Sequence, residues 1–167
     1  VHDLHKEVLP HGWGIADMRG LVEPDRPITY GILMPGPDSP GGIPYVRVAD
    51  MGQEEIRLNG IRRTTPEIDS CYARARLRAG DILLSIRGTV GRVALVPEEL
   101  EGANITQDTA RLSIQASMNS EFVAWFLRSL ATQRRMHAAT KGVAVRGINI
   151  GDVRAIQVPV PPLPEQQ

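Results

Sequence analysis

The spacing of apolar positions changes several times along the chain, and each change marks an element. Residues 80–92 read GDILLSIRGTVGR: an apolar run too short for a helix delivers Arg87, breaks at Gly-Thr-Val-Gly, and resumes as VALVP. Two short apolar runs around a glycine-framed tip predict a β-hairpin, with Arg87 and Arg92 at its turn. Thr109 to Gln115 alternates Ala110, Leu112 and Ile114 with Arg111, Ser113 and Gln115. That period of two predicts a strand with one face in a core and the other in water. From Asn119 or Ser120 the spacing becomes helical. Phe122, Val123, Phe126, Leu127 and Leu130 fall on one face of the longest helix, with Arg128, Arg134 and Arg135 off that face or beyond its end.

Prolines, glycines and caps place the remaining elements. Trp13 to Val22 reads as a short first helix, and EPDRPITYG after it as loop. Tyr30–Met34 and Tyr45–Met51 are β-type runs separated by PGPDSPGG, whose prolines and glycines allow no regular structure. Thr65-Pro66-Glu67 starts a helix, threonine capping it and proline taking the first helical position, and the helix is expected to reach about Arg74 or Arg76. KGVAVRGIN is read as a loop, Gly151–Val153 as a short turn and Ile156–Val160 as a final strand. There is no internal repeat. The sum is an α/β (α+β) domain: a twisted, mostly antiparallel β-sheet with about three helices.

Composition narrows the class. At 167 residues and 42% apolar content the chain suits one domain with its own core. Cys71 is the single cysteine, so no disulfide framework exists; a buried or half-buried thiol and a cytoplasmic protein are expected. No apolar stretch is long enough to span a membrane and no leader opens the chain, which runs from Val1 to PPLPEQQ and reads as an excised piece.

The net charge of zero argues against binding polyanions by bulk positive charge, but its distribution is uneven. Residues 1–56 carry minus five, residues 57–92 plus five, residues 93–125 minus four and residues 128–154 plus five. Of 19 basic residues only Lys6 and Lys141 are lysine. Arginine is the side chain whose planar fork matches phosphate and guanine edges.

Catalytic motifs are missing. Neither lysine has an acid two residues before it, as a magnesium-dependent D/E-x-K nuclease requires. His2, His5, His11 and His137 do not cluster with Cys71 at zinc-ligand spacing, so no metal site is expected. There is no phosphate loop and no G-x-G-x-x-G turn. Pro161-Pro162 lacks the asparagine and aromatic residue with which amino-methyltransferases grip a flipped base. Ser85 and Ser113 have no histidine partner in a recognisable frame. No catalytic residue and no cofactor are expected in this chain.

Five blocks carry a family resemblance: RPITYGI (26–32), GGIPYVRVADM (41–51), LRAGDILLSIRGTVGRVALVPEELEGANITQDTARL (77–112), EFVAWFLRS (121–129) and VPVPPLPEQQ (158–167). In order and spacing they resemble a target recognition domain of the specificity subunit of type I restriction-modification enzymes. That resemblance implies a noncatalytic reader of double-stranded DNA for one half of a split target. It also implies partner modification (methyltransferase) subunits and a restriction (motor/nuclease) subunit. Residues 1–157 are then the recognition domain, and 158–167 begin the linker to a spacer helix.

With that expectation the polar groups sort by chemistry. Guanidinium groups suit phosphates and guanine, while amides and hydroxyls suit adenine and general contacts. Arg87, Thr89 and Arg92 surround the hairpin tip. Arg62 and Arg63 lie in the loop before the helix, Arg74 and Arg76 at its end, and Lys141 and Arg146 in the glycine-flanked loop. Asn104, Thr106 and Gln107 offer polar heads between strands, and Tyr30 a ring to stack. Each has a structural rival: Asn104 and Gln107 can tie down a turn, Arg74 can pair with Asp69, and Tyr30 can be a buried ring. Two other functions stay open, the DNA-reading portion of a fused single-chain methyltransferase-nuclease and a protein scaffold without DNA contact.

Overall fold

The β-hairpin at the centre of the chain is covered on both faces, and the domain is built around it. A computed structural model describes residues 9–140 and 147–166. In chain order its strands are β1 (Gly14–Asp17), β2 (Thr29–Tyr30), β3 (Ile43–Val46), β4 (Arg62–Thr64), β5 (Ile82–Ser85), β6 (Val93–Leu95), β7 (Asn104–Ile105), β8 (Thr109–Leu112) and β9 (Gln157–Val160). The α-helices are α1 (Pro66–Cys71), α2 (Ser120–Arg128), α3 (Leu130–Ala139) and α4 (Ile150–Arg154). The strands form a four-stranded sheet β2-β8-β5-β6, a three-stranded sheet β4-β3-β7 and a β1-β9 pair. Every ladder is antiparallel except that of β3 with β7. Mixed α+β with mainly antiparallel pairing is therefore the architecture. Among the described residues no helix is long and apolar enough to cross a membrane.

The continuous apolar run of β5 follows from having a core on each side. Ile82 and Leu84 join Val93, Ala110 and Leu112 in one core, closed by Val123 and Leu127 of α2 and by Val153 and Val158. Leu83 points the other way, into a second core with Ala94, Val46, Met51, Leu77 and Ile105. Two side chains close the hairpin tip, one of them Gln133, whose Nε2 donates to the Gly91 carbonyl at 2.8 Å. The Ser85 hydroxyl donates to the Thr89 carbonyl at 2.5 Å and accepts from the Arg92 N–H at 2.8 Å, while Gly91 turns the chain at φ +96°.

Two-sided burial also corrects the reading of β8. Arg111 and Ser113 were expected to face water; they are 1% and 2% exposed. The register Leu83↔Arg111 puts the arginine on the second-core side of the sheet. The expected first helix is instead β1 followed by the 3-10 turn Met18–Gly20, because residues 14–17 find ladder partners in β9. The longest helix is two. Ser129 leaves helical geometry with ψ 143° and its side chain accepts from the Thr132 N–H, so it caps α3; Leu130 consequently leaves the apolar face and is 66% exposed.

Other boundaries shift modestly. Arg62 and Arg63 belong to β4 rather than a loop. Helix α1 keeps its Thr65 cap and Pro66 start, but passes into a 3-10 turn at Ala73–Ala75. The Cys71 thiol is exposed rather than buried, and it donates to the Glu67 carbonyl one turn back, at 3.4 Å. Residues 150–154 are a helix, capped by Asn149, instead of a turn. Past Gln157 the chain stays attached: Gln166 is 3% exposed, accepts from the Asn119 N–H and donates to the Pro161 carbonyl.

The two larger sheets meet where β2 runs on into Gly31 and Ile32. Ile32 is buried, its N–H donates to the Ile105 carbonyl at 2.8 Å, and its carbonyl accepts from the Gln107 N–H at 2.9 Å. A Cβ on Gly31 would lie 2.0 Å from the Ile105 carbonyl oxygen, so only glycine fits the seam. Gly31→Ala is expected to cost about 1–3 kcal/mol in urea unfolding, as forced overpacking does. Gly20→Ala, which meets open space, is expected to stay within about 0.5 kcal/mol.

Candidate nucleic-acid interface

Beyond the seam, three segments converge on one edge. Thr106 pairs with Ile32 as an isolated bridge, Gln107 follows it, and the Arg87 N–H donates to the Asp108 carbonyl. The strand end after β5 is pinned on its other side too, by the Arg87↔Gly147 bridge and the Ile148 N–H to the Ile86 carbonyl. Arg87 and Gln107 thus come together: a guanidinium Nη1 donates to the carboxamide Oε1 at 3.2 Å. Thr89 is exposed at the hairpin tip. Lys141 and Arg146 lie outside the described residues.

A cleft of about 840 Å³ opens beside β2. Tyr30, 36% exposed, lines it together with Arg74. So do Arg26, Arg76, Arg78 and Arg154, against the acids Asp25 and Glu101. Among the described residues the Arg62 and Arg74 guanidinium groups have no hydrogen-bond or ion-pair partner. Both are exposed cations free to meet an anion.

The arginines behind the cleft hold it in shape. Asp81, 4% exposed, is gripped by both terminal nitrogens of Arg26 at 3.0 and 3.1 Å, by the Ser113 hydroxyl at 2.6 Å and by the Arg78 N–H at 2.8 Å. Arg111 donates to Ser113 and to the carbonyls of Pro27 and Arg74, at 3.2 and 3.1 Å. It therefore staples both cleft walls to the sheet. Burial pushes its guanidinium down to about 10, Arg26 adds like-charge repulsion, and Asp81 opposes both. At that value Arg111 is still a cation at neutral pH. Arg154 likewise donates to the Ile28 carbonyl.

Three candidates turn out to be occupied inside the fold. Asp69 is fully buried and receives Arg76, through Nε at 2.9 Å and also through Nη2, together with the Asn104 amide at 2.8 Å. The pairing foreseen for Arg74 with Asp69 belongs to Arg76, whose guanidinium is raised above its ordinary value by that hydrogen bond. Asn104 is completely buried. Arg92 reaches across to the carbonyls of Met51 and Val48, at 2.6 and 3.1 Å, satisfying the last turn of the 3-10 segment Val48–Asp50. Arg63 is exposed but leans on the Gly42 carbonyl.

Sequence reasoning missed Leu33 and Met34, 47% and 82% exposed at the edge, because they were placed inside a strand. It also missed Arg26, Arg78 and Arg154 around the cleft. The Arg-Pro pair at 26–27 is the only local signal for the first, and none announces the others. Among the described residues no group of three or more His, Cys, Asp and Glu side chains could hold a metal ion.

The inward and outward arginines make different predictions. Asp69→Ala takes the acceptor from the buried Asn104 amide and is expected to lose about 1–3 kcal/mol of stability by chemical denaturation, while the half-exposed Arg76 is left to water. Arg62→Ala is expected to change it by less than about 0.5 kcal/mol.

The chain is similar to known proteins in sequence and in fold. The profile of the type I restriction modification DNA specificity domain matches residues 37–167. The type I restriction enzyme EcoBI specificity subunit of Escherichia coli is 33% identical over 165 residues, covering 98% of this chain and 35% of that protein. The chain therefore spans little more than a third of that relative's length. The solved HsdS subunit from Thermoanaerobacter tengcongensis matches with a TM-score of 0.69 at 21% identity, over 96% of this chain and 36% of that one. A chain solved in work on complex assembly and conformational transition of the type I R-M system gives 0.69 at 22%, over 96% and 37%. At such identities the likeness is one of fold. With the profile running over residues 37–167 and the E. coli sequence matching 98% of this chain, the chain belongs to the type I restriction modification DNA specificity domain family.

Proposed function

We propose that this domain reads one half of a split target in double-stranded DNA, as the noncatalytic specificity component of a type I restriction-modification enzyme. The observation that carries the reading is the Arg87–Gln107 pair. A guanidinium binds the guanine edge and a carboxamide the adenine edge, each through two hydrogen bonds. Here the two heads are joined to each other and held by backbone clamped between Ile32, Asp108 and Gly147. The backbone beneath both heads therefore needs no ordering on meeting a base pair.

Arg62, Arg63, Arg74 and Tyr30 act as the phosphate and sugar contacts that set register, joined by Thr89 and Thr106 as hydroxyl donors. Lys141 and Arg146 are further phosphate contacts in this reading, on the strength of their charge in the sequence. Arg76, Arg92 and Asn104 serve binding only through the shape they maintain. Family membership supports a larger assembly in the cytoplasm, in which modification subunits supply methyl transfer and a motor subunit supplies cleavage. The reading domain takes in β9 and the buried Gln166, and the last residues lead toward a spacer.

Selection from random duplexes with the full-length protein and its modification subunits tests this, together with methylome mapping of cells with and without the gene. One split motif is expected, with binding that falls steeply with salt. Arg87→Ala and Gln107→Ala should each lose about 1–3 kcal/mol of discrimination at one base position. Arg62→Ala or Arg74→Ala should weaken all sequences alike and lower the salt slope by about 1. A selection that enriches no motif overturns the reading.

A further inference from the structure

We infer that Asp108 is a further specificity-determining residue, its carboxylate accepting the exocyclic amino group of a cytosine in the major groove; this rests on the DNA reading above. Gln107 and Asp108 are the two corner residues of a tight turn, closed by the Thr109 N–H donating to the Thr106 carbonyl at 3.2 Å. The Asp108 carbonyl accepts from the N–H groups of Ile86 and Arg87, at 2.8 and 3.3 Å. The carboxylate is therefore carried on the same clamped backbone as the Arg87–Gln107 pair, one residue from the carboxamide. Aspartate is common in turns because its side chain bonds nearby backbone N–H groups. Here it makes no such bond. Among the described residues the half-buried Asp108 carboxylate has no hydrogen-bond or ion-pair partner, and Arg87 gives its Nη1 to Gln107 instead.

The occupant follows from charge and hydrogen-bond chemistry. In the free protein water reaches the carboxylate. A duplex lying over Arg87 and Gln107 covers it, and a carboxylate taken out of water without a donor is heavily penalised. A phosphate has no donor to offer and repels it. In the major groove the donors are the amino groups of cytosine and adenine. Adenine sets its amino group beside the N7 acceptor, which suits a carboxamide such as Gln107 and repels a carboxylate, an acceptor only. Cytosine presents the amino donor alone. Guanine and thymine turn acceptors toward the same place, so the carboxylate rejects them.

Selection from random duplexes by the full-length protein with its modification subunits, run on the wild type and on Asp108→Ala, tests the inference. The wild-type motif should hold a cytosine at one position where Asp108→Ala accepts all four bases, with the other positions unchanged. Replacing that cytosine by 2-pyrimidinone, which lacks the amino group, should weaken wild-type binding roughly tenfold or more. The same replacement should leave Asp108→Ala little affected, a coupling that isolates the one contact. Asp108→Ala should keep its melting temperature, because the side chain bonds nothing in the fold, and the analogue measured on the wild type alone decides the matter if it does not. Three results overturn the role of Asp108 and leave the DNA reading standing: an unchanged motif in Asp108→Ala, an equal loss on all sequences, or a wild-type motif in which no cytosine needs its amino group. If the wild type enriches no motif, the DNA reading fails and this role with it.

Discussion

The approach of the Gly31 backbone to the Ile105 carbonyl is the constraint on which the rest of the site depends. It joins the edge strand of the four-stranded sheet to β7 of the three-stranded one, at a separation no side chain permits. At that seam Tyr30 lines the cleft, and the backbone of Thr106 and Gln107 is held against Gly31 and Ile32. Rigid scaffolds position polar heads better than loops do, and here the loops borrow their rigidity from two sheets at once.

Charge is divided between holding and presenting. Arg26, Arg76, Arg92, Arg111 and Arg154 spend their donors on a carboxylate or on backbone carbonyls within the fold. Those bonds satisfy groups that burial would otherwise leave stranded, at Asp69 and Asp81 above all. Arginine suits this work because its planar fork can serve several acceptors at once and stays charged at neutral pH. Arg111 shows the cost: its Nε has no partner among the described residues, and burial lowers its affinity for the proton. Arg62 and Arg74 are the complement, exposed and unspent.

The hairpin tip follows the same logic. Arg87 and Arg92 flank one turn and have opposite fates. Ser85 fixes the turn, Arg92 is drawn back over the second core to cap Val48–Asp50, and Arg87 is left outside beside Gln107.

The sequence by itself determined the elements whose signals are local. The Thr65-Pro66 start of α1, the Asn119 cap of α2, the hairpin β5–β6 and the strand β9 all stand where caps, glycines and apolar spacing put them. The five sequence blocks also carried the family. Only the tertiary structure decided what depends on distant partners. Residues 14–17 became a strand because β9 lies beside them, and Arg111 went inside because the sheet has a core on both faces, which a period of two cannot reveal. The same holds for the arginines: a guanidinium that meets a buried carboxylate and one that meets water look alike in a sequence. They differ only in which residue, dozens of positions away, the fold brings within about 3 Å.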